Sequence, residues 1–187
     1  MRVKEYHSIL IKEYPYAESL NKRLLKDAES LLETHNSNGP TNIKGKRTCN
    51  IYDQSSNIQR LVSWILDEYR YDKTIQLWSP DDKLLQRRVG CWFARYNKGD
   101  YTHSHAHKPH TWSWVYFINT PRGSAPLIFT TSGKKVKAEA GKVVIFDAQV
   151  LHEVPKNRCD NRIVCAGNVT SWTEDTTSPY DSAPINI

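Results

Sequence analysis

Apolar residues recur at helical spacing over positions 16–35, where Leu20, Leu24, Leu25, Ala28, Leu31 and Leu32 fall on one face with lysines and glutamates opposite. The pattern predicts an amphipathic helix that covers a core. It stops in HNSNGPTNIKGKRT (35–48), a stretch of turn formers that reads as a loop. A second helix is predicted from the run Ser55-Ser56-Asn57, which can cap it, with Ile58, Leu61, Val62, Ile65 and Leu66 as its buried stripe.

From about residue 85 the texture changes. Short alternating or apolar runs, VGCWFARY, TWSWVYFIN, APLIFTT, KKVKAEA, KVVIFDA and RIVCAGNVTSW, are separated by turn signals, as in an antiparallel sandwich or barrel. The expected architecture is mainly β with N-terminal helices packed outside the β core. No internal repeat, low-complexity tract or linker divides the chain, so its 187 residues are expected to form a single domain. Its parts are a mostly helical support region (1–84), a β core (85–172) and a tail (173–187). The tail has few apolar residues and two prolines; a disordered segment and a cap over the barrel's open end are both open readings.

Composition adds exclusions. Hydrophobic residues at 39% and charged residues at 25% suit an ordinary soluble protein, and no run of about eighteen apolar residues is present to span a membrane. The opening MRVKEYHSILIKEYPYAESL is too charged for a secretory signal. Cys49, Cys91, Cys159 and Cys165 form no CxxC pair, which argues against a zinc knuckle, a redox motif or a disulfide framework and makes the cytoplasm the expected compartment. A net charge of +6 and a pI near 9.1 favour an acidic partner such as nucleic acid. The basic residues are dispersed, however, in small clusters at Lys44, Lys46 and Arg47, at Arg87 and Arg88, and at Lys134, Lys135 and Lys137, so solvated surface charge is the preferred reading.

Candidate chemistry concentrates in YNKGDYTHSHAHKPHTWSWVYF (96–117), which holds His103, His105, His107 and His110. Residues i and i+2 of an extended segment project to one side, so His105 and His107 can converge on one ion. His152, in GKVVIFDAQVLHEVP, is the candidate for a third ligand. His7, His35, His103 and His110 read as polar surface.

In these phrases the sequence resembles the 2-oxoglutarate- and iron(II)-dependent oxygenases, specifically the prolyl-4-hydroxylase-like group and its small relatives that also occur in phage genomes. The group's phrase R-Y-x-x-G-x-x-x-x-x-H-x-D is matched by Arg95-Tyr96-Asn97-Lys98-Gly99 and His105-x-His107 at every fixed position but the last. WSWVYF (112–117) resembles the S-x-V-Y-Y strand that follows, and Pro126-Leu127-Ile128-Phe129 the L-x-F strand. GKVVIFDAQVLHEVPKNRCDNRIV resembles the phrase G-x-x-x-x-F, H-x-V and R-I. The likeness covers roughly residues 90–170.

That resemblance implies a double-stranded β-helix (jelly roll, cupin-like) and an oxygenase, in particular a hydroxylase, using Fe(II), 2-oxoglutarate and dioxygen, with ascorbate as a possible accessory reductant. It implies that His105, His107 and His152 hold the iron on one face. Arg162, ten residues after His152, would bind the far carboxylate of 2-oxoglutarate in a bidentate fork. In RIVCAGNV it shares a face with Val164, Ala166 and Asn168, as a cavity-facing residue would. Tyr96 and Tyr116 would offer hydroxyls to the cosubstrate, or be ordinary strand tyrosines. Trp112 and Trp114 would stack a flat substrate such as a base or a proline ring, or pack the barrel. Lys134, Lys135 and Lys137 lie on a hairpin that could reach an acidic substrate.

One departure matters. Position 107 holds His where the closer hydroxylases have Asp. A neutral imidazole still ligates iron but leaves the site one negative charge short; Asp100 and Asp147 are poorly spaced substitutes. A cupin-type three-histidine enzyme is one alternative, although Thr111 and Trp112 stand where its glutamate is expected. A basic nucleic-acid-binding β module and a zinc hydrolase are others. The primary substrate, whether protein side chain, nucleobase or metabolite, stays open.

Overall fold

Helix α1 (Ala17–Thr34) buries the stripe its spacing predicts: Leu20, Leu24, Ala28, Leu31 and Leu32 are buried and Leu25 is partly covered. The second helix, α2 (Ser56–Tyr71), starts as expected, with Ser55 Oγ accepting the N–H of Asn57 at 3.1 Å. The Ser55 hydroxyl and Asn57 Nδ2 both donate to Asp27 on α1, which ties the cap to the first helix. These statements come from a computed structural model that describes residues 9–37, 41–71 and 85–173; the tail beyond Thr173 lies outside the described residues.

The strands are β1 (Ile9–Glu13), β2 (Ile43–Lys44), β3 (Lys46–Arg47), β4 (Leu85–Tyr96), β5 (Tyr101–His105), β6 (Trp112–Asn119), β7 (Leu127–Phe129), β8 (Lys134–Val136), β9 (Lys142–Asp147), β10 (His152–Val154) and β11 (Arg162–Thr173). They form a larger sheet in the order β1-β9-β6-β11-β4-β3 and a smaller one in the order β2-β5-β10-β7-β8, with antiparallel neighbours throughout. The region before residue 85 is therefore more than helical support. Its three short strands close sheet edges that would otherwise expose unpaired backbone groups.

Alternation along the larger sheet divides the core in two. Trp112, Trp114, Tyr116 and Ile118 of β6, with Phe93, Val143, Ile145, Ile163 and Cys165, face the helices. Val115 and Phe117 of the same strand, with Ala94, Tyr96, Val144, Phe146 and Val164, face the smaller sheet. Both faces are apolar because both are covered. The pocket of interest lies between the sheets.

At Gly167 on β11 the indole of Trp114 presses onto the strand. A Cβ there would stand 2.5 Å from Trp114 Cζ2 and 2.6 Å from the carbonyl oxygen of Gly90, so the position tolerates no side chain. Gly167→Ala is expected to lose about 1–3 kcal/mol of stability through overpacking. Urea unfolding checks this, and wild-type stability in the variant would contradict the packing described.

Candidate metal centre

The turn that delivers the first histidine explains part of the motif around it. Gly99 has φ 91°, a conformation open to glycine, and lets β4 reverse into β5 while the Asn97 N–H donates to Asp100 Oδ2 at 2.7 Å. His105 then ends β5 directly opposite His152 at the start of β10. Residues 103–105 therefore belong to a paired strand. His107 lies two residues on, held by its N–H donating to the Ala148 carbonyl at 2.7 Å.

Three imidazoles meet as a result. Ring centroids are 4.4 Å apart for His105 and His152, 4.7 Å for His105 and His107, and 5.1 Å for His107 and His152. One donor atom from each lies within 4.8 Å of the others, the only such His/Cys/Asp/Glu convergence among the described residues. Asp100 and Asp147, weighed above as carboxylate ligands, instead accept backbone N–H groups of their own turns.

The environment prepares the rings as ligands. Nδ1–H of His105 donates to the His103 carbonyl at 2.8 Å and Nδ1–H of His152 to the Val150 carbonyl at 2.9 Å, leaving each Nε2 lone pair free. Burial, reinforced by the neighbouring imidazoles, pushes His107 down to about 3 and His152 to about 4, and burial also lowers His105. All three are neutral at pH 7, the form a divalent ion requires.

The third ring has a different support. Asn168 Nδ2 lies 3.5 Å from His107 Nδ1, while Asn168 Oδ1 accepts the Ser113 hydroxyl at 2.8 Å. Turning the amide over makes Oδ1 the acceptor for Nδ1–H, and the Ser113 hydroxyl, donor and acceptor both, follows. Ligation through Nε2 requires that second arrangement. Asn168 was legible as a residue on the Arg162 face of β11, but nothing in the sequence linked it to His107.

Behind the triad, a cavity of about 40 Å³ is walled by Leu127, Phe146, Val154 and Val164 and reaches Tyr96, Thr102 and Arg162. Arg162 is 1% exposed. Its Nε donates to the Ala125 carbonyl at 3.1 Å, its guanidinium carbon sits 4.8 Å from the Tyr96 ring centroid, and both terminal nitrogens are buried with no hydrogen-bond partner among the described residues. A buried cation left so is costly unless an anion completes it. The Tyr96 hydroxyl, also in this cavity, pairs with Thr102 Oγ1 at 2.8 Å.

Tyr116 and Trp112 do not line the cavity, whereas Trp114 does. Tyr116 turns toward α1, where its hydroxyl donates to Asn21 Oδ1 at 2.8 Å. Trp112 and Trp114 are 5% and 1% exposed and pack in the helix-side core, and Trp114 also contributes to the lining of the cavity. The physical reason is period: positions 112, 114 and 116 share one face of β6, and that face belongs to the helices. Lys134 and Lys135 lie exposed on edge strand β8, and Lys137 pairs with Glu139 at 2.9 Å.

Among solved structures, a prolyl-4-hydroxylase from Pseudomonas putida is similar to this chain at TM-score 0.67 and 20% identity, over 88% of this chain and 92% of that one. A viral collagen prolyl hydroxylase from Paramecium Bursaria Chlorella virus-1, in a 2-oxoglutarate complex, matches at 0.64 and 13%, over 86% and 94%. The chain has the double-stranded β-helix fold. A Trichoplax adhaerens prolyl hydroxylase in complex with a hypoxia inducible factor peptide shares that fold at 0.63 and 16%, over 86% and 82%. No family model and no curated protein sequence matches the chain.

A double-stranded β-helix with three neutral imidazoles at its mouth fits a divalent ion. His105→Ala or His152→Ala is expected to weaken Co(II) binding by more than the roughly 10–100-fold that loss of an outer partner costs, and Asn168→Leu to weaken it by about that amount. Anaerobic titration followed by cobalt absorption measures both, and unchanged affinity in the histidine variants would remove the centre.

Proposed function

We propose that this chain is a non-haem Fe(II)- and 2-oxoglutarate-dependent oxygenase acting as a hydroxylase. The observation that carries the reading is the buried Arg162 guanidinium, with two nitrogens unpartnered among the described residues, in the cavity that the three histidines also line. The likeness in fold to prolyl hydroxylases supports it.

His105, His107 and His152 would hold the iron, and Arg162 would take the far carboxylate of 2-oxoglutarate in a charge-assisted fork. When bound, the iron and cosubstrate supply the oxidising chemistry: 2-oxoglutarate is oxidised to succinate and carbon dioxide while the second oxygen atom of dioxygen enters a substrate C–H bond. The chain's own contribution is placement and shelter. The Tyr96 ring braces the guanidinium and its hydroxyl, held by Thr102, adds a polar edge to the cavity. Leu127, Phe146, Val154 and Val164 give it apolar walls, and a low-dielectric wall strengthens each polar contact inside.

His107 in the place of a carboxylate keeps a second reading in view, a three-histidine metalloenzyme that does not use 2-oxoglutarate. Arg162 separates the two. In succinate-release assays with iron-loaded protein, Arg162→Gln is expected to raise the half-saturating 2-oxoglutarate concentration by about tenfold or more while leaving metal affinity unchanged. Succinate release indifferent to Arg162, or absent from wild-type protein that binds iron, would favour the second reading.

A further inference from the structure

His105 and His107 stand between two spaces. The inner one holds Arg162; the outer is an open groove of about 340 Å³ that touches His105, His107 and Asn168 and is bordered by Arg47 and Trp92. Arg162 does not line the groove, and Arg47 does not line the inner cavity.

Arg47 reaches the groove because of strand alternation. Lys46 and Arg47 are consecutive on β3, paired with Arg95 and Ala94 of β4, so their side chains leave opposite faces. Lys46 goes to Glu33 on α1, which Arg95 also approaches at 3.5 Å. Arg47 turns the other way and stacks over the Trp92 ring, its guanidinium carbon 4.5 Å from the centroid. One terminal nitrogen donates to Thr41 Oγ1 at a long 3.4 Å, and Nε is buried with no partner among the described residues. Among the described residues no carboxylate pairs with Arg47, and none lines the groove.

The Arg47 guanidinium lies over the indole, and the fork of donors that a guanidinium carries matches a carboxylate. Arg47 is the one lysine or arginine among the described lining residues, which suits a monoanion better than a phosphate dianion. The groove's volume is at the low end of small-ligand sites. We propose that the primary substrate binds here and is a small carboxylate-bearing molecule of amino-acid size, its carboxylate held by Arg47 and the rest of it extending toward the histidines. The word substrate rests on the oxygenase reading, whereas carboxylate binding in the groove does not.

The probes are N-acetylglycine, its neutral amide, and inorganic phosphate, titrated into the full chain without metal while the Trp92 indole N–H resonance is followed. N-acetylglycine is expected to shift that resonance. The amide and phosphate should bind about tenfold more weakly or worse, and Arg47→Gln should weaken N-acetylglycine by a similar factor. Arg47→Lys, which keeps the charge but loses the fork, should fall between. Arg162→Gln should leave the titration unchanged, which separates the groove from the inner cavity. Equal binding of acid and amide, tighter binding of phosphate, no response to N-acetylglycine, or loss on Arg162→Gln but not on Arg47→Gln would each overturn the proposal. Loss of succinate release and iron binding with this titration intact would instead count against the oxygenase reading alone.

Discussion

The site depends on one strand pairing. β10 is only three residues long, yet its antiparallel register against β5 sets His152 across from His105, although 46 intervening residues separate them in the chain. A slip of one residue would send His152 to the opposite face of the smaller sheet and dissolve the cluster. The register is held from both sides, because β10 also pairs with β7, where His152 faces Phe129. The ring of Phe146 from the opposing sheet packs edge-on against His152 at 4.7 Å.

Strand β11 supplies the second half of the design. Twelve residues long and central in the larger sheet, it directs Arg162, Val164, Ala166 and Asn168 to the interior and Ile163, Cys165, Gly167 and Val169 to the helices. One strand therefore carries the buried cation at one end and the support for His107 further along. Its outer face is pressed by Trp114 at Gly167. Packing of the helices and placement of the polar groups are in this way coupled through a single rigid element. Arg162 and Arg47 then flank the histidines on the inner and outer sides, a polarity that fits a cosubstrate within and a substrate without.

Much of this was readable from residues alone. The helical stripes and period-two runs identified α1, α2 and the main strands, the His-x-His pair and His152 stood out by their placement, and the family resemblance singled out Arg162; the fold gathers all four at one cavity. The limits have a physical origin. Alternation tells the two faces of a strand apart but not which one meets the cavity, and in WSWVYF both faces are buried; for Tyr116, Trp112 and Trp114 the sequence therefore left a site role and plain packing both open. β2 and β3 have two residues each, too few for a periodic signal. Without their register Arg47 was indistinguishable from the surface lysines beside it. Asn168 lies 61 positions from His107, a contact only the closed sheet creates.

The account's central claim is that three imidazoles from two separate segments share one metal ion. X-ray absorption at the iron edge of anaerobically Fe(II)-loaded protein tests it most directly. Three imidazole scattering contributions per iron are predicted, falling to two when His107 is replaced by Ala. A first coordination shell made only of oxygen, or one that does not change when His107 is replaced, would contradict it.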